Sequence, residues 1–384
     1  MGISRFAFTP LFPLMQLELS FTDQFAGYLA STNYFGYLLG ALFAGFYNWP
    51  SNRVRPLTIF LTINIFSILA QGLTINYGHW YFLRFIAGLT AGLVFVLISS
   101  ITMDFLARNH LHSWSGYLYS GVGTGIFLSG VLVPFLHYFV GWQGAWMGLG
   151  FLSIILGTLV YLWVDDDKKQ IPNLKNQSKS EINTTLKSQN ITFPWLTVAY
   201  AAEGMGYIIS ATFLVTILNS LPGFDSSSSA FSWAFVGLAA APSAIIWVKL
   251  GQKSGKINML ILAFMIQIIG VSFPLISPNV FGGLIGAFLF GGTFMGITTL
   301  TMQIAREMYP QQSSKIIGYL TFAYGVGQII SPLIAGILTK DTGQYEAAIF
   351  FASVVLVIGI MALFIGSRKK VLLGFENKIS EEEI

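Results

Sequence analysis

Three ionisable side chains lie inside long apolar runs of this 384-residue chain, and they are the residues with chemistry to offer. Arg5 stands in "RFAFTPLFPLMQ" (5–16), Arg84 in "LRFIAGLTAG" (83–92) and Glu203 in "VAYAAEGMGYIIS" (198–210). Burial disfavours the charged form of a carboxyl group and a nearby arginine favours it. A glutamate that changes surroundings can therefore load and release a proton. Two arginines against one glutamate leave about one net positive charge if all three share a site, which favours a small organic anion or zwitterion as ligand. The alternatives are structural: Glu203 as a buried pair with Arg5 or Arg84, and Arg84 reaching back to the headgroups from about one turn inside its run.

Helical spacing gives these groups neighbours. Tyr200 and Tyr207 stand at i−3 and i+4 from Glu203 and share its face, Asn33 and Tyr37 are paired the same way, and Thr9 is at i+4 from Arg5. Gln328 interrupts another apolar run. Tyrosine stripes at this spacing also serve packing, so both readings stay open for the tyrosines. Other chemistry is thin. "GVGTG" (121–125) lies within an apolar helix with no preceding strand and reads as close helix packing rather than a phosphate loop. "HLH" (110–112) lacks a third metal ligand, and there is no cysteine. With no nucleophile–base set and no nucleotide loop, no enzyme, metal or cofactor is expected.

The elements that hold these residues follow from composition. The chain is 54% hydrophobic and only 9% charged, far below the roughly one-quarter charged residues of soluble domains, and it carries 40 glycines, which membrane helices tolerate. A crossing helix needs about 20 apolar residues. Runs of that kind lie near 1–17, 24–47, 57–75, 80–103, 114–138, 143–164, 193–218, 229–250, 257–276, 280–304, 315–338 and 345–366. Their length and lack of strict alternation exclude a transmembrane barrel. The first is short and interrupted by Pro10 and Pro13, so it reads as truncated, and restoring residues before it would place Arg5 at mid-membrane. No cleavable leader and no myristoylation motif is read at the N-terminus.

Charge sets the orientation. With the N-terminus inside, the inner loops, the linker and the tail hold seventeen basic residues, among them Arg53, Arg55, Arg108, Lys253, Arg306 and Lys315, against Lys340 alone outside. Both termini are therefore expected in the cytoplasm. The stretch 165–191 is a long polar linker rich in Asn, Ser and Lys, and its Asn-x-Ser/Thr matches read as chance on the cytoplasmic side. It divides the chain into an N-terminal bundle (1–164) and a C-terminal bundle (192–368), followed by a tail (369–384).

The halves repeat. "GYLYSGVGTGIFLSG" (116–130) aligns without gaps to "GYLTFAYGVGQIISP" (318–332), an offset of 202 that also sets Gly2 against Gly204. A parallel repeat of six-helix units is a plan that places a binding site between the halves near the midplane. "LRFIAGLTAG" is similar to the fourth-helix Arg-x-x-x-Gly motif of the major facilitator superfamily, and "GWQGAW" (141–146) resembles its turn between helices five and six. "RFAFTPLFPLMQ", "NYFGYLLGAL" (33–42), "EGMGYIISATFL" (203–214) and "GVGQIISPLIAG" (325–336) resemble its YbfB/YjiJ branch.

The resemblance implies an all-α integral membrane protein of twelve transmembrane helices in two pseudo-symmetric six-helix bundles. It also implies secondary active transport of a small solute by alternating access, coupled to protons through Glu203, in the inner (plasma) membrane. Helices 1, 4, 7 and 10 line the cavity in this family, so Arg5, Thr9, Asn33, Tyr37, Arg84, Tyr200, Tyr207 and Gln328 are the expected cavity residues. Arg53, Arg55, Asp104, Arg108, Arg306 and Glu307 are expected at the cytoplasmic gate. Partners are a small-molecule substrate, protons and the lipid bilayer, with no nucleic acid and a monomeric chain. Two departures matter: "GFYNWPSNRVRP" (45–56) has no acid where the family's loop carries Asp, and Gly125 is followed by Ile126 rather than the Pro of drug/proton antiporters. The second lowers the standing of a lipophilic-compound exporter, which remains the alternative beside a non-transporting sensor.

Overall fold

The computed structural model describes residues 2–47, 49, 52–109, 114–164, 191–309, 313–339 and 344–382, and these are helices joined by short connections. The linker expected at 165–191 lies, but for Ile191, outside the described residues, as does the histidine pair at 110–112. In chain order the helices are α1 (Gly2–Phe6), α2 (Phe8–Leu19), α3 (Asp23–Phe46), α4 (Val54–Gln71), α5 (Tyr77–Arg108) and α6 (Ser115–Trp163). They continue as α7 (Phe193–Asn219), α8 (Ser226–Ser254), α9 (Lys256–Ile276), α10 (Val280–Met308), α11 (Ser313–Leu338) and α12 (Glu346–Glu382).

Local chemistry explains where they start and break. Thr22 accepts from the Phe25 N–H ahead of α3, Asn279 accepts from the Gly282 N–H ahead of α10, and Asp225 forms a reciprocal capping box with Ser228 ahead of α8. The break between α1 and α2 falls at Ala7 because Pro10 has no N–H to donate to the Phe6 carbonyl. Two expected spans, 114–138 and 143–164, run together in α6. α6 is two helical segments that meet at Gly141, whose φ of 67° and ψ of −177° are non-helical and suit glycine, so the expected division between the spans falls there. α12 is longer than expected and continues through the predicted tail to Glu382.

Nine of the described helices are long and apolar enough to cross a membrane, with α6 counted once. Large side chains such as Phe66, Phe82, Phe281 and Phe350 are exposed on the outside. So much apolar surface is intolerable in water and normal against lipid tails. The chain is a multi-pass membrane protein.

Helix contacts repeat at the interval read from the sequence. A β-carbon on Gly2 would lie 2.6 Å from the Val122 carbonyl oxygen and 2.9 Å from the Gly125 Cα. Exactly 202 residues on, one on Gly204 would lie 2.9 Å from the Tyr324 Cα, and one on Gly327 2.8 Å from the Met205 N. Both contacts need glycine for backbones to touch. The first places α1 against the middle of the first half of α6, so Arg5 sits deep among helices and not at a membrane edge.

Candidate functional site

Arg5 is held by an aromatic surround. Its guanidinium carbon lies 4.4 Å from the ring centroid of Tyr37, 4.8 Å from that of Tyr34 and 5.2 Å from that of Phe6. Cation–π attraction of this kind stabilises a desolvated guanidinium without cancelling its charge. Tyr34 and Tyr37 come from α3, and the Tyr34 hydroxyl is 3.0 Å from the Thr212 hydroxyl on α7. The side chain is 4% exposed, and its Nε and Nη2 are buried without a hydrogen-bond partner.

Arg84 is fully buried on α5, over the ring of Phe8 at 4.4 Å. The alternative that it reaches to the headgroups is thereby corrected: Phe8 covers it, and it points inward. Asn33 fixes the backbone there by donating from Nδ2 to the Arg84 carbonyl at 2.8 Å. Nε and Nη1 of Arg84 have no hydrogen-bond partner, and Arg84 lies within electrostatic reach of both Tyr34 and Arg5. Two buried cations thus sit close together. No acid forms an ion pair with either among the described residues.

The opposite wall is a stack of rings from α7, α10 and α11. Tyr200 lies on Tyr324 at 4.4 Å, Tyr324 on Tyr207 at 5.5 Å, and Tyr207 on Phe294 at 5.7 Å, with interplanar angles of 17°, 17° and 6°. Gln328 on α11 donates from Nε2 to the Tyr207 hydroxyl. Tyr207 and Tyr324 are within electrostatic reach of Arg5, so the stack borders the arginine site. Thr9 donates to the Ala211 carbonyl at 2.5 Å, which spends its hydroxyl on joining α2 to α7.

Glu203 is fully buried, and its neighbour is not an arginine. Gln267 Nε2 on α9 donates to both carboxylate oxygens, at 2.9 and 3.1 Å. The alternative reading, a buried pair of Glu203 with Arg5 or Arg84, is not the arrangement found. The carboxyl bonds to Gln267 on α9, and Tyr200, Tyr207 and Tyr324 lie within electrostatic reach of it. Gln267 is not among the residues expected from the sequence, because it lies on α9, a helix with no ionisable residue in its interior and outside the cavity-lining set the resemblance implies. Its signal was the one Glu203 gave, a single polar residue within "LILAFMIQIIG".

Among the residues expected at the gate, Arg53 Nη1 donates to the Ser100 hydroxyl at 2.7 Å, linking α4 to α5. Glu307 pairs with Lys256, tying the end of α10 to the start of α9. Arg55 and Arg306 are exposed, and Arg306 lies within electrostatic reach of Tyr119 on α6. The side chains of Asp104 and Arg108 lie outside the described residues. No group of acids and histidines suited to a metal ion occurs among the described residues.

Residues 1–364 match the family model described as "Uncharacterised MFS-type transporter YbfB". A Bacillus subtilis protein described as the uncharacterized MFS-type transporter YceJ is 22% identical over 360 residues, covering 94% of this chain and 91% of its own. The gentisate transporter of Corynebacterium glutamicum is 22% identical over 334 residues, covering 84% and 74%. Among solved structures, the nucleoside transporter NupG superposes with a TM-score of 0.69 at 15% identity, over 95% of this chain and 97% of that one, a likeness of fold.

Proposed function

We propose that this chain, which belongs to the YbfB-type family of major facilitator superfamily transporters, carries a small organic anion across the plasma membrane by alternating access. The carrying observation is the pair Arg5 and Arg84: two buried guanidiniums, four of whose nitrogens lack a hydrogen-bond partner, with no counter-ion paired to them among the described residues. Buried charge of this kind inside a membrane marks a substrate or ion path, because an uncompensated cation is costly unless a ligand answers it. The gentisate transporter among the relatives is named for an organic anion, which agrees in sign.

In this reading twelve spans form two six-helix bundles that rock about the contact of α2 with α7, both termini are cytoplasmic and one chain suffices. Arg5, Arg84, Asn33, Tyr37, Tyr207 and Gln328 line the site, while Arg53, Arg55, Asp104, Arg108, Arg306 and Glu307 serve the inner gate. Glu203 is the proton carrier. It is buried on a neutral amide, and the ring stack joins it to the arginine wall, so a change in that stack during turnover alters its surroundings.

The experiment is counterflow in proteoliposomes with a panel of labelled organic anions, zwitterions and cations, repeated with an imposed pH gradient. The reading expects anions to exchange and an inward proton gradient to drive their accumulation. Exchange of cations in place of anions overturns the substrate sign, and a protein that binds but exchanges nothing is a sensor.

A further inference from the structure

We infer that the Arg5–Arg84 site takes a small dicarboxylate, one carboxylate on each guanidinium; this rests on the anion-transport reading and names its substrate class.

The two orphaned donors of Arg5, Nε and Nη2, lie on one edge of the guanidinium plane. That edge is the fork that receives both oxygens of a carboxylate in parallel hydrogen bonds. Phe6, Tyr34 and Tyr37 crowd the group from three rings, and those rings offer it no acceptor on this edge. A carboxylate there satisfies two buried donors at once, while a neutral solute leaves at least one charge unanswered.

Arg84 supplies the second seat. Phe8 covers it, whereas the rings of Tyr34 and Tyr37 cover Arg5, so each guanidinium has its own apolar housing. The two cations are nonetheless close enough to feel each other, and like charges repel in a buried site. One carboxylate removes half of that excess and two remove it. Glu203 does not, since its carboxylate is held by Gln267 and forms no ion pair with either arginine. Arg5 is housed by Tyr34 and Tyr37 and Arg84 by Phe8, and these separate seats favour two anionic groups on one carbon frame over a single compact dianion touching both.

The test is binding to the purified full chain by isothermal titration calorimetry, with succinate and terephthalate against butyrate and benzoate, and inorganic phosphate as the compact anion. The dicarboxylates are expected to bind at least about tenfold more tightly than their monocarboxylate partners. Arg84→Gln is expected to abolish that difference by weakening dicarboxylate binding, and Arg84→Lys to keep part of it. Equal affinity of mono- and dicarboxylates, or tighter binding of phosphate, overturns the dicarboxylate assignment and leaves the anion reading standing. No binding by any of these anions, with organic cations bound instead, overturns both. The wild-type comparison decides the matter even if the variants fold poorly.

Discussion

Thr9 donates its hydroxyl to the carbonyl of Ala211, 2.5 Å away and 202 residues further along the chain. That separation equals the repeat interval, so residues equivalent by duplication touch each other. In a pseudo-two-fold arrangement such a contact lies on the axis. Gly2 against Gly125 and Gly204 against Gly327 flank it at the same interval. The contact ties α2 to α7 next to Arg5, Tyr34 and Thr212.

This contact is open to mutation. Thr9→Val is expected to cost about 1 kcal/mol, the scale of a hydrogen bond between membrane helices. Gly204→Val forces a side chain onto the Tyr324 backbone and is expected to cost about 1–3 kcal/mol. Gly45→Ala, which meets nothing within 4 Å, serves as the silent control. Thermal unfolding in detergent checks the order.

Glu203→Gln keeps the shape of the side chain and removes its ability to exchange a proton. Uphill transport driven by a pH gradient is expected to vanish while substrate exchange at equal pH persists. Counterflow and gradient-driven uptake measured side by side separate the two, and accumulation that survives in the variant rules Glu203 out as the carrier.

Gln267→Leu removes the amide that holds both carboxylate oxygens of Glu203. A buried acceptor left without its donor costs about 1–3 kcal/mol, so the variant should be less stable and its transport should depend differently on pH. Gln267→Asn, a shorter amide, should fall between. A pH–rate profile identical to that of the parent would show that Gln267 only fills space.

Asp225 offers a test outside the membrane. The Ser228 N–H and hydroxyl both donate to its carboxylate at 2.7 Å, and these bonds hold it below the usual carboxylate range. The sign follows: a lowered folded value gives stability that is full above the ordinary carboxylate range and is lost as pH falls through the lowered value. Asp225→Ala should cost about 1 kcal/mol near neutrality, as for other lost N-caps, and the difference from the parent should shrink in acid. Thermal unfolding between about pH 7 and about pH 3 measures it.

The apolar runs made the helices legible in the sequence, since length and hydropathy alone decide a membrane crossing, and the offset of 202 recurs in which backbones touch. The partners of the charges were not legible. Repeat alignment gives depth along a helix and says nothing of rotation about its axis. Glu203 and Arg5 were therefore placed at similar heights yet turn to different neighbours, Gln267 and an aromatic surround. The aromatic surround itself escaped because Phe6, Phe8, Tyr34, Tyr324 and Phe294 look like packing in a chain with 34 phenylalanines and 16 tyrosines. The expected division between 114–138 and 143–164 is kept at Gly141, where one residue of non-helical backbone separates the two segments of α6.

If buried Arg5 and Arg84 bind the transported anion, charge-neutral variants in proteoliposomes lose its exchange. Arg5→Gln and Arg84→Gln, each shown to be folded by its thermal transition, should lose exchange of labelled succinate by at least about tenfold, and Arg5→Lys should restore little because an ammonium lacks the fork. Exchange at the parental rate in both glutamine variants would contradict this role of the two arginines.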